Sequence, residues 1–251
     1  MSIGEIIGRF VAAIVVGYLL GSIPTGVLVS KLLGKSDPRA TGSGKTGATN
    51  VLRTLGYGPA AVVVLVDVLK GVAAVLLARY VFFGGVHPAG MSAFTYSTLR
   101  DSAEAAAAFA SVLGHNFSIF IRFTGGRGVL TGAGAMVTMS PLTTLFGFIA
   151  AVTPIALTRY VSLGSIMGAV MSIVTEVMLT IMRFDSVPHM VFIVVAALLV
   201  IASHRDNIER LINGTERKLG QSEQPQTDMP NQTPNQAPRA SATLPSAPAA
   251  Q

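Results

Sequence analysis

Long apolar runs alternate with short polar segments along this chain. Runs almost free of charge cover 10–30, 128–158, 160–175 and 186–203. A helix that crosses a bilayer needs about 20 apolar residues, so runs of this length indicate membrane spans. The alternative is a soluble protein with a large core of buried helices, but such helices rarely stay free of charge over this length.

The runs predict an all-α integral membrane protein with seven transmembrane helices. We place the spans at about 6–30, 59–83, 102–121, 128–140, 142–158, 163–182 and 187–204. Pro24 and Gly26 predict a kink or an early exit in the first span, because proline lacks a backbone N–H. The fourth span is short.

The basic residues predict the orientation, because cytoplasmic loops carry an excess of Lys and Arg. With seven spans, one side collects most of the basic residues, namely Lys31, Lys35, Arg39, Lys45, Arg53, Arg122, Arg127, Arg159, Arg205, Arg210, Arg217, Lys218 and, in the tail, Arg239. The other side collects only Arg9, Arg79, Arg100 and Arg183. The N-terminus is therefore expected outside and the C-terminus in the cytoplasm.

Composition agrees with a membrane protein and narrows its chemistry. Charged residues make up 12% of the chain, against about 25% in soluble domains. The net charge of +6 is read as a topology signal, so no nucleic-acid partner is expected. Cysteine is absent, which excludes disulfides and thiol chemistry. Residues 1–219 form the membrane domain, and the Pro-, Gln- and Ala-rich 220–251 predict a disordered cytoplasmic tail.

The first polar loop, 41–50 followed by Arg53, has the composition of a phosphate cradle. Gly42, Gly44 and Gly47 let backbone N–H groups converge on an anion. Hydroxyl, amide and cationic side chains add donors from Ser43, Lys45, Thr46, Thr49, Asn50 and Arg53. The loop also resembles the phosphate loop of nucleotide hydrolases. We reject that function because Arg39 stands where the motif needs glycine and no buried strand precedes it.

The second polar loop joins the third and fourth spans. His115 and Asn116 end the third span, and Gly125, Gly126, Arg127 and Gly128 lead into the fourth. A glycine turn at a helix N-terminus offers free N–H groups and the positive end of the helix dipole. Two glycines alone are more often simple loop punctuation. Arg127 and the similar loop upstream favour anion binding.

Two further polar segments and one buried pair complete the candidates. The segment 158–165 is short and, taken alone, is typical of an interfacial anchor. In 203–218, a helix would place His204 and Asn207 on one face, and this histidine is a candidate base. The alternative for 203–218 is a basic helix lying on anionic lipid. Asp67 and Lys70 predict a pair inside the second span, with a structural role and a role in the site equally open.

These motifs together resemble the bacterial acyl-phosphate:glycerol-3-phosphate acyltransferases, the PlsY family. The matching segments, in the family's order over about residues 6–218, are Gly21-Ser-Ile-Pro-Thr-Gly26, Gly42 to Asn50 with Arg53, Gly114-His-Asn-Phe-Ser118, Gly125-Gly-Arg-Gly128, Tyr160 to Ser165 and His204 to Glu216. Two positions depart from the family pattern. Lys45 stands where the family usually has Asn, and Arg127 where it usually has Lys, which keeps the charge but changes its shape.

The resemblance implies a multi-pass enzyme of the bacterial inner membrane with a cytoplasmic site. It implies transfer of an acyl group from acyl phosphate to the 1-hydroxyl of glycerol 3-phosphate, giving lysophosphatidic acid and inorganic phosphate, the first step of phospholipid synthesis. The expected partners are those two substrates and membrane lipid, without a cofactor or metal. The expected catalytic residues are His204, Ser43 and Arg53. The expected substrate-binding residues are Gly42, Gly44, Lys45, Asn50, His115, Asn116, Ser118, Gly125, Gly126, Arg127, Gly128, Thr131, Ser162, Asn207 and Glu216.

Two other functions stay open at this point. A transporter for a phosphorylated metabolite would also have several spans and basic loops. It would need polar residues through the depth of the bilayer, where only Asp67 and Lys70 lie here. The charge added by Lys45 motivates the second alternative, an inactive relative of the family.

Overall fold

The computed structural model describes residues 2–84 and 90–221, in which helices, turns and loops occur without a strand. The α-helices of these residues are α1 (Ile3–Ser22), α2 (Thr25–Leu32), α3 (Ala48–Leu55), α4 (Tyr57–Leu76), α5 (Ala93–Asn116), α6 (Val129–Met139), α7 (Pro141–Thr158), α8 (Val161–Ile181), α9 (Val187–Ser203) and α10 (Arg205–Ile212). A π-helical segment, Leu77–Phe82, continues α4. The predicted tail lies outside the described residues beyond Gln221, as does His87.

The helices follow the predicted spans with two clear differences. The first predicted span, 6–30, is two helices, because the chain breaks at Ile23 and Pro24 between α1 and α2. The third span begins at Ala93 rather than at 102, because the Ser92 hydroxyl accepts the Thr95 N–H at 3.1 Å and caps a helix whose first turns are polar. The short helices α3 and α10 were not among the predicted spans.

Within residues 2–84 and 90–221, five helices are long and apolar enough to cross a membrane. They are α1, α4 with its continuation to Phe82, α5 with the turn to Ile121, α7 and α8. Helices α9 and α10 make a sixth if they are taken as one span bent by 56°. Helix α6 is apolar but has only 11 residues. The described residues therefore form an all-helical integral membrane fold with five or six candidate spans.

Glycines let the main helices approach each other closely. A Cβ on Gly17 or Gly21 of α1 would overlap the backbone carbonyl of Ala107 or Ser111 on α5. Helices α4 and α6 meet in the same way, at Gly71 and Gly134. Lipid supplies no hydrophobic drive for helix association, so close backbone packing is the main source of attraction.

The end of the bundle away from the polar loops carries a network of ion pairs. Both Glu104 oxygens accept from Arg79, at 2.9 and 2.6 Å. His189 pairs with Asp185 at 2.9 Å. Asp101, Glu104 and His189 place their ligand atoms within 4.8 Å of one another. Arg79 donates to both oxygens of Glu104, and His189 pairs with Asp185. The charges of this cluster are therefore paired with one another.

Candidate active site

A cavity of about 620 Å³ lies where the polar loops meet at the other end of the bundle. Its mouth is polar and cationic, with Lys45, Arg53, Arg127, Arg210 and Arg217 in the lining. Below the mouth it continues between α6, α7, α8 and α9, where the lining is largely apolar. One cavity thus offers an anion site above an apolar slot.

Most of the predicted site residues line this cavity. Those in the lining are Gly42, Ser43, Lys45, Asn50, Arg53, His115, Arg127, Gly128, Ser162, His204, Asn207 and Glu216. Six others lie outside the lining: Gly44, Asn116, Ser118, Gly125, Gly126 and Thr131. The four predicted polar segments therefore do converge on one place.

The Asn50 side chain organises the first loop. Its amide nitrogen donates to the carbonyls of Pro38 at 2.6 Å and Lys45 at 2.9 Å, and its oxygen accepts the Ser43 N–H at 3.0 Å. Gly42 has φ +66°, a left-handed conformation that favours glycine. The geometry gives Asn50 a positioning role, because its hydrogen bonds are made within the loop.

Arg39 connects the first loop to the second. One of its terminal nitrogens donates to the Thr124 hydroxyl at 2.6 Å and to the Ile121 carbonyl at 3.2 Å. The rest of the guanidinium pairs with Asp37 at 2.6 Å. The hydrogen bond from Arg39 lowers the pKa of Asp37, so the pair stays ionised at neutral pH. The first and second polar loops are thereby held at a fixed separation.

A buried network under the second loop contains Asp67 and Lys70, the pair predicted inside the second span. The Lys70 ammonium lies 2.8 Å from Asp67 and 2.8 Å from Nδ1 of His115. It also donates to the Ile23 carbonyl at 3.2 Å, and Asp67 accepts from Thr25 at 3.0 Å. The pair joins the break between α1 and α2 to α4 and α5, and Asp67 itself lines the cavity.

His115 shapes the glycine turn that follows it. An ammonium only donates, so Nδ1 of His115 accepts from Lys70 and the ring proton of the neutral imidazole sits on Nε2. The His115 carbonyl accepts the Gly126 N–H at 3.0 Å. A Cβ on Gly126 would collide with Nε2 of His115, and one on Gly125 with the His115 carbonyl. Glycine is required at both positions because the histidine occupies the space of a side chain.

Three of the predicted site residues, Asn116, Ser118 and Thr131, lie near the turn but outside the cavity lining. The Ser118 hydroxyl donates to the Ser22 carbonyl at 2.5 Å, which ties the loop to α1. The Asn116 amide and the Thr131 hydroxyl are buried without a hydrogen-bond partner among the described residues. A Cβ on Gly128 would lie 3.0 Å from the Asn116 side-chain oxygen. Ser118 thus fixes the loop to α1, and the Asn116 side chain packs against the turn at Gly128.

His204 presents an unprotonated nitrogen to the cavity. Its Nδ1 donates to the Val200 carbonyl at 2.8 Å, which leaves the lone pair on Nε2. The side chain is buried at the end of α9, where the free Nε2 can accept a hydrogen bond from a substrate hydroxyl.

Glu216, in the segment 203–218, connects the chain that follows α10 to α8 and to α10 itself. It accepts from Ser162 at 2.9 Å, Asn207 at 2.7 Å and Arg210 at 2.8 Å. Burial opposes ionisation, but these hydrogen bonds outweigh it and hold the pKa of Glu216 below its usual value. Arg127 is oriented beside this group by donating to the Ser203 carbonyl at 3.1 Å.

Asp67 and Arg210 line the cavity although the sequence did not place them among the site residues. A charged pair inside a span was the available signal for Asp67. Arg210 lies one turn after Asn207 on α10, so the face already assigned to that asparagine was the signal for Arg210.

The helical bundle, the cationic mouth and the apolar slot together are those of an integral membrane acyltransferase. The family model described as "Glycerol-3-phosphate acyltransferase" matches residues 11–214. The chain belongs to the glycerol-3-phosphate acyltransferase (PlsY) family, which confirms the resemblance inferred from its motifs.

Relatives and solved structures agree with this membership. The glycerol-3-phosphate acyltransferase of Thermoanaerobacter pseudethanolicus is 42% identical over 82% of this chain and 94% of its own length. The glycerol-3-phosphate acyltransferase of Thermus thermophilus is 42% identical over 83% of this chain and 94% of its own length. The crystal structure of PlsY, an integral membrane glycerol 3-phosphate acyltransferase, in its glycerol 3-phosphate form has a TM-score of 0.71 and 33% identity over 84% of this chain and 96% of that one. Its lysophosphatidic acid form has a TM-score of 0.68.

Proposed function

We propose that this enzyme transfers a fatty acyl group from acyl phosphate to the 1-hydroxyl of glycerol 3-phosphate. The observation that carries the proposal is the single cavity, which joins a cationic mouth to an apolar slot. Two anionic head groups meet at the mouth while the acyl chain stays among the helices. The related PlsY was crystallised in glycerol 3-phosphate and lysophosphatidic acid forms, which correspond to the acceptor and product of this reaction.

The acceptor phosphate binds the cationic side of the mouth. Ser43, Arg53 and Arg127 supply a hydroxyl and two guanidinium groups, which match a phosphate in charge and geometry. Lys45 adds a further cation to this lining, so it strengthens phosphate binding in this chain. Asn207 and His204 lie beside Arg127, where they orient the glycerol hydroxyls.

The donor phosphate binds the glycine turn. Gly128, which lines the cavity, directly precedes α6, where the N–H groups of the first helical turn and the helix dipole favour an anion. Gly125 and Gly126 shape the backbone of the turn behind it. The acyl chain then runs down the apolar slot below. This arrangement places the acyl carbonyl between the glycine turn and His204.

The reaction needs no acyl-enzyme. The 1-hydroxyl oxygen attacks the acyl carbonyl carbon, the bond from that carbon to the phosphate oxygen breaks, and phosphate leaves. We assign the hydroxyl proton to a phosphate oxygen of a substrate, and His204 orients the hydroxyl through Nε2, since its Nδ1 is held by the Val200 carbonyl. Positioning and charge stabilisation supply most of the acceleration, since phosphate is already a good leaving group.

We also propose seven passes through the inner membrane, with the N-terminus outside. Helix α6 supports the seventh pass, because it runs from the glycine turn to Ser140. Thr138, in its last turn, accepts from Arg79 of the ion-pair network at the opposite end. Arg9 near the N-terminus donates to Phe82 at that same end, 2.7 Å away. The polar loops then all face the cytoplasm, where glycerol 3-phosphate is dissolved.

Alanine substitutions test the site. We expect Ser43→Ala, Arg53→Ala and His204→Ala each to lower kcat/KM by about 10²-fold, the typical loss of one positioned donor or acceptor. Arg205→Ala is the matched control, since this arginine adjoins His204 but its side chain is 86% exposed. The measurement is lysophosphatidic acid formation from acyl phosphate and glycerol 3-phosphate by purified protein. Near-normal rates in all three variants would refute the site.

A further inference from the structure

The apolar slot ends part of the way along each of the four helices that form it. Its deepest lining residues are Met136 on α6, Thr144 on α7, Ser172 on α8 and Phe192 on α9. No residue of these helices nearer the opposite end of the bundle belongs to the lining of this cavity, within the residues that the structure describes. The slot therefore has a defined floor.

Below the floor, polar side chains of α7 and α8 are buried and hydrogen bond to one another. The Ser140 hydroxyl donates to Thr143 at 3.0 Å, and Thr143 donates to Glu176 at 2.7 Å. Glu176 and Thr143 are fully buried, and the second Glu176 oxygen has no hydrogen-bond partner among the described residues. Because that oxygen is already buried, an apolar chain end pushed to this level would meet a polar group with which it cannot pair, which is unfavourable.

The helices at the floor cannot separate easily to admit a longer chain. Helices α7 and α8 cross closely there, since a Cβ on Gly147 would overlap the Ser172 hydroxyl. A Cβ on Gly168 would lie 2.9 Å from the Gly147 carbonyl. Tightly packed contacts of this kind resist insertion of even one methylene group.

We propose that this floor, formed by Met136, Thr144, Ser172 and Phe192 above Glu176, sets the upper length of the acyl chain that the enzyme transfers. The proposal rests on the acyl-phosphate reaction proposed above. A chain that enters from lipid gains little by moving into an equally apolar protein. Length is therefore selected by exclusion at the floor and not by added hydrophobic contact.

The depth of the slot gives the length. Helix α8 rises about 15 Å from Ser162 to Ser172, and α9 about 18 Å from His204 to Phe192. An extended chain of C–C bonds of about 1.5 Å advances about 1.25 Å per carbon, so this depth holds about 12 to 14 methylene groups. With the carbonyl and the adjacent carbon at the mouth, we expect saturated chains of up to about 14 to 16 carbons to fit.

Two substitutions at different depths test the floor. Ala169→Leu narrows the slot about 10 Å below Ser162, and Thr144→Phe fills it at the floor. The matched controls are Val170→Leu and Leu145→Phe, next to each position but outside the lining and 42% and 51% exposed. Each purified variant is assayed with glycerol 3-phosphate as acceptor and with two acyl phosphates that compete as donors. The acyl chains of the donors range from 8 to 20 carbons.

We expect wild type and both controls to lose about ten-fold in kcat/KM between chains of about 16 and 20 carbons, since a pocket rejects one excess methylene by roughly that factor. In Thr144→Phe the same loss should begin near 12 carbons, and in Ala169→Leu near 10, with the shortest chains transferred normally. If a bulky variant unfolds, Thr144→Leu and Ala169→Val provide smaller steps that should shift the limit in the same order.

The outcomes separate this inference from the proposed function. Equal losses at every chain length, or no shift in either folded variant, would overturn the floor while wild-type turnover upheld the reaction. Absence of any glycerol 3-phosphate-dependent transfer by wild type would refute the reaction and the inference together.

Discussion

Single carboxylates hold this site together through several hydrogen bonds each. Glu216 joins Ser162 of α8 to Asn207 and Arg210 of α10, and Asp67 joins Thr25 to Lys70. In both cases the charged oxygen is buried and its partners come from different helices. Such groups stabilise most when all of their hydrogen bonds are formed, because a buried charge without partners is costly.

Glu216 makes stability at the mouth depend on pH. Its folded-state pKa is lowered, so its contribution is present in full above the unfolded value of about 4.5 and is lost as pH falls through the folded value. We expect wild type to be more stable than Glu216→Gln at pH 7 and the difference to shrink below about pH 4.5. Thermal unfolding of both proteins from pH 3.5 to 7.5 measures this, and a difference independent of pH would contradict it.

Asp67 and Lys70 permit a test that separates stability from positioning. We expect Lys70→Met alone to destabilise by about 3–5 kcal/mol, because it leaves Asp67 buried without its cation. Asp67→Asn combined with Lys70→Met should recover much of that stability, since no charge then remains.

Activity of the double variant should stay at least about ten-fold low, because His115 has lost the donor that fixes its tautomer. Unfolding temperature and kcat, measured for the single and double variants, provide the comparison. Full recovery of both quantities in the double variant would show that the pair is only structural.

At the scale of the element, apolar runs located the long helices well and their ends poorly. Helix α7 matches its predicted span of 142–158 within a residue, because nothing but apolarity defines it. The start of α5 was missed, because Ser92 caps a polar first turn that a search for apolar residues ignores. Four polar segments were correctly grouped, but the supporting roles of Asn50 and Glu216 depend on contacts distant in sequence. No local pattern specifies such contacts.

The crossing of α1 and α5 gives a prediction at this scale. Gly21→Ala should destabilise by about 1–3 kcal/mol, because the added methyl overlaps the Ser111 carbonyl. Gly8→Ala on the same helix is the matched control, since its Cβ meets nothing within 4 Å and alanine favours the helix by about 1 kcal/mol. Unfolding temperatures in detergent test the pair. Equal stability of the two variants would count against close packing at the crossing.

At the scale of the whole molecule, the two ends of the helical bundle differ in charge. One end carries the cationic mouth, and the other carries the network of Arg79, Glu104, Asp185 and His189. The cationic end is the one to which the sequence assigned most of the basic residues, and this same distribution predicted the orientation. An anionic substrate is attracted to the first end, whereas the second end is internally neutralised.

Orientation is open to a direct test because the chain contains no cysteine. Phe184→Cys introduces a thiol at a position that is 74% exposed at the end distant from the mouth, and Lys35→Cys introduces one beside α2. With a membrane-impermeant maleimide we expect the first to react on intact spheroplasts and the second only after permeabilisation. The reverse pattern would invert the proposed topology.

Helix α6 has a consequence for the surrounding bilayer. Its 11 residues rise about 16 Å, roughly half of the 30 Å hydrocarbon thickness. A segment this short creates hydrophobic mismatch, which a bilayer relieves by thinning locally. With α6 as the proposed seventh pass, the glycine turn at its start lies below the plane of the distant head groups, in a dimple of the leaflet that it faces. In the proposed reaction, water and glycerol 3-phosphate then reach the acyl carbonyl there without the acyl donor leaving its leaflet.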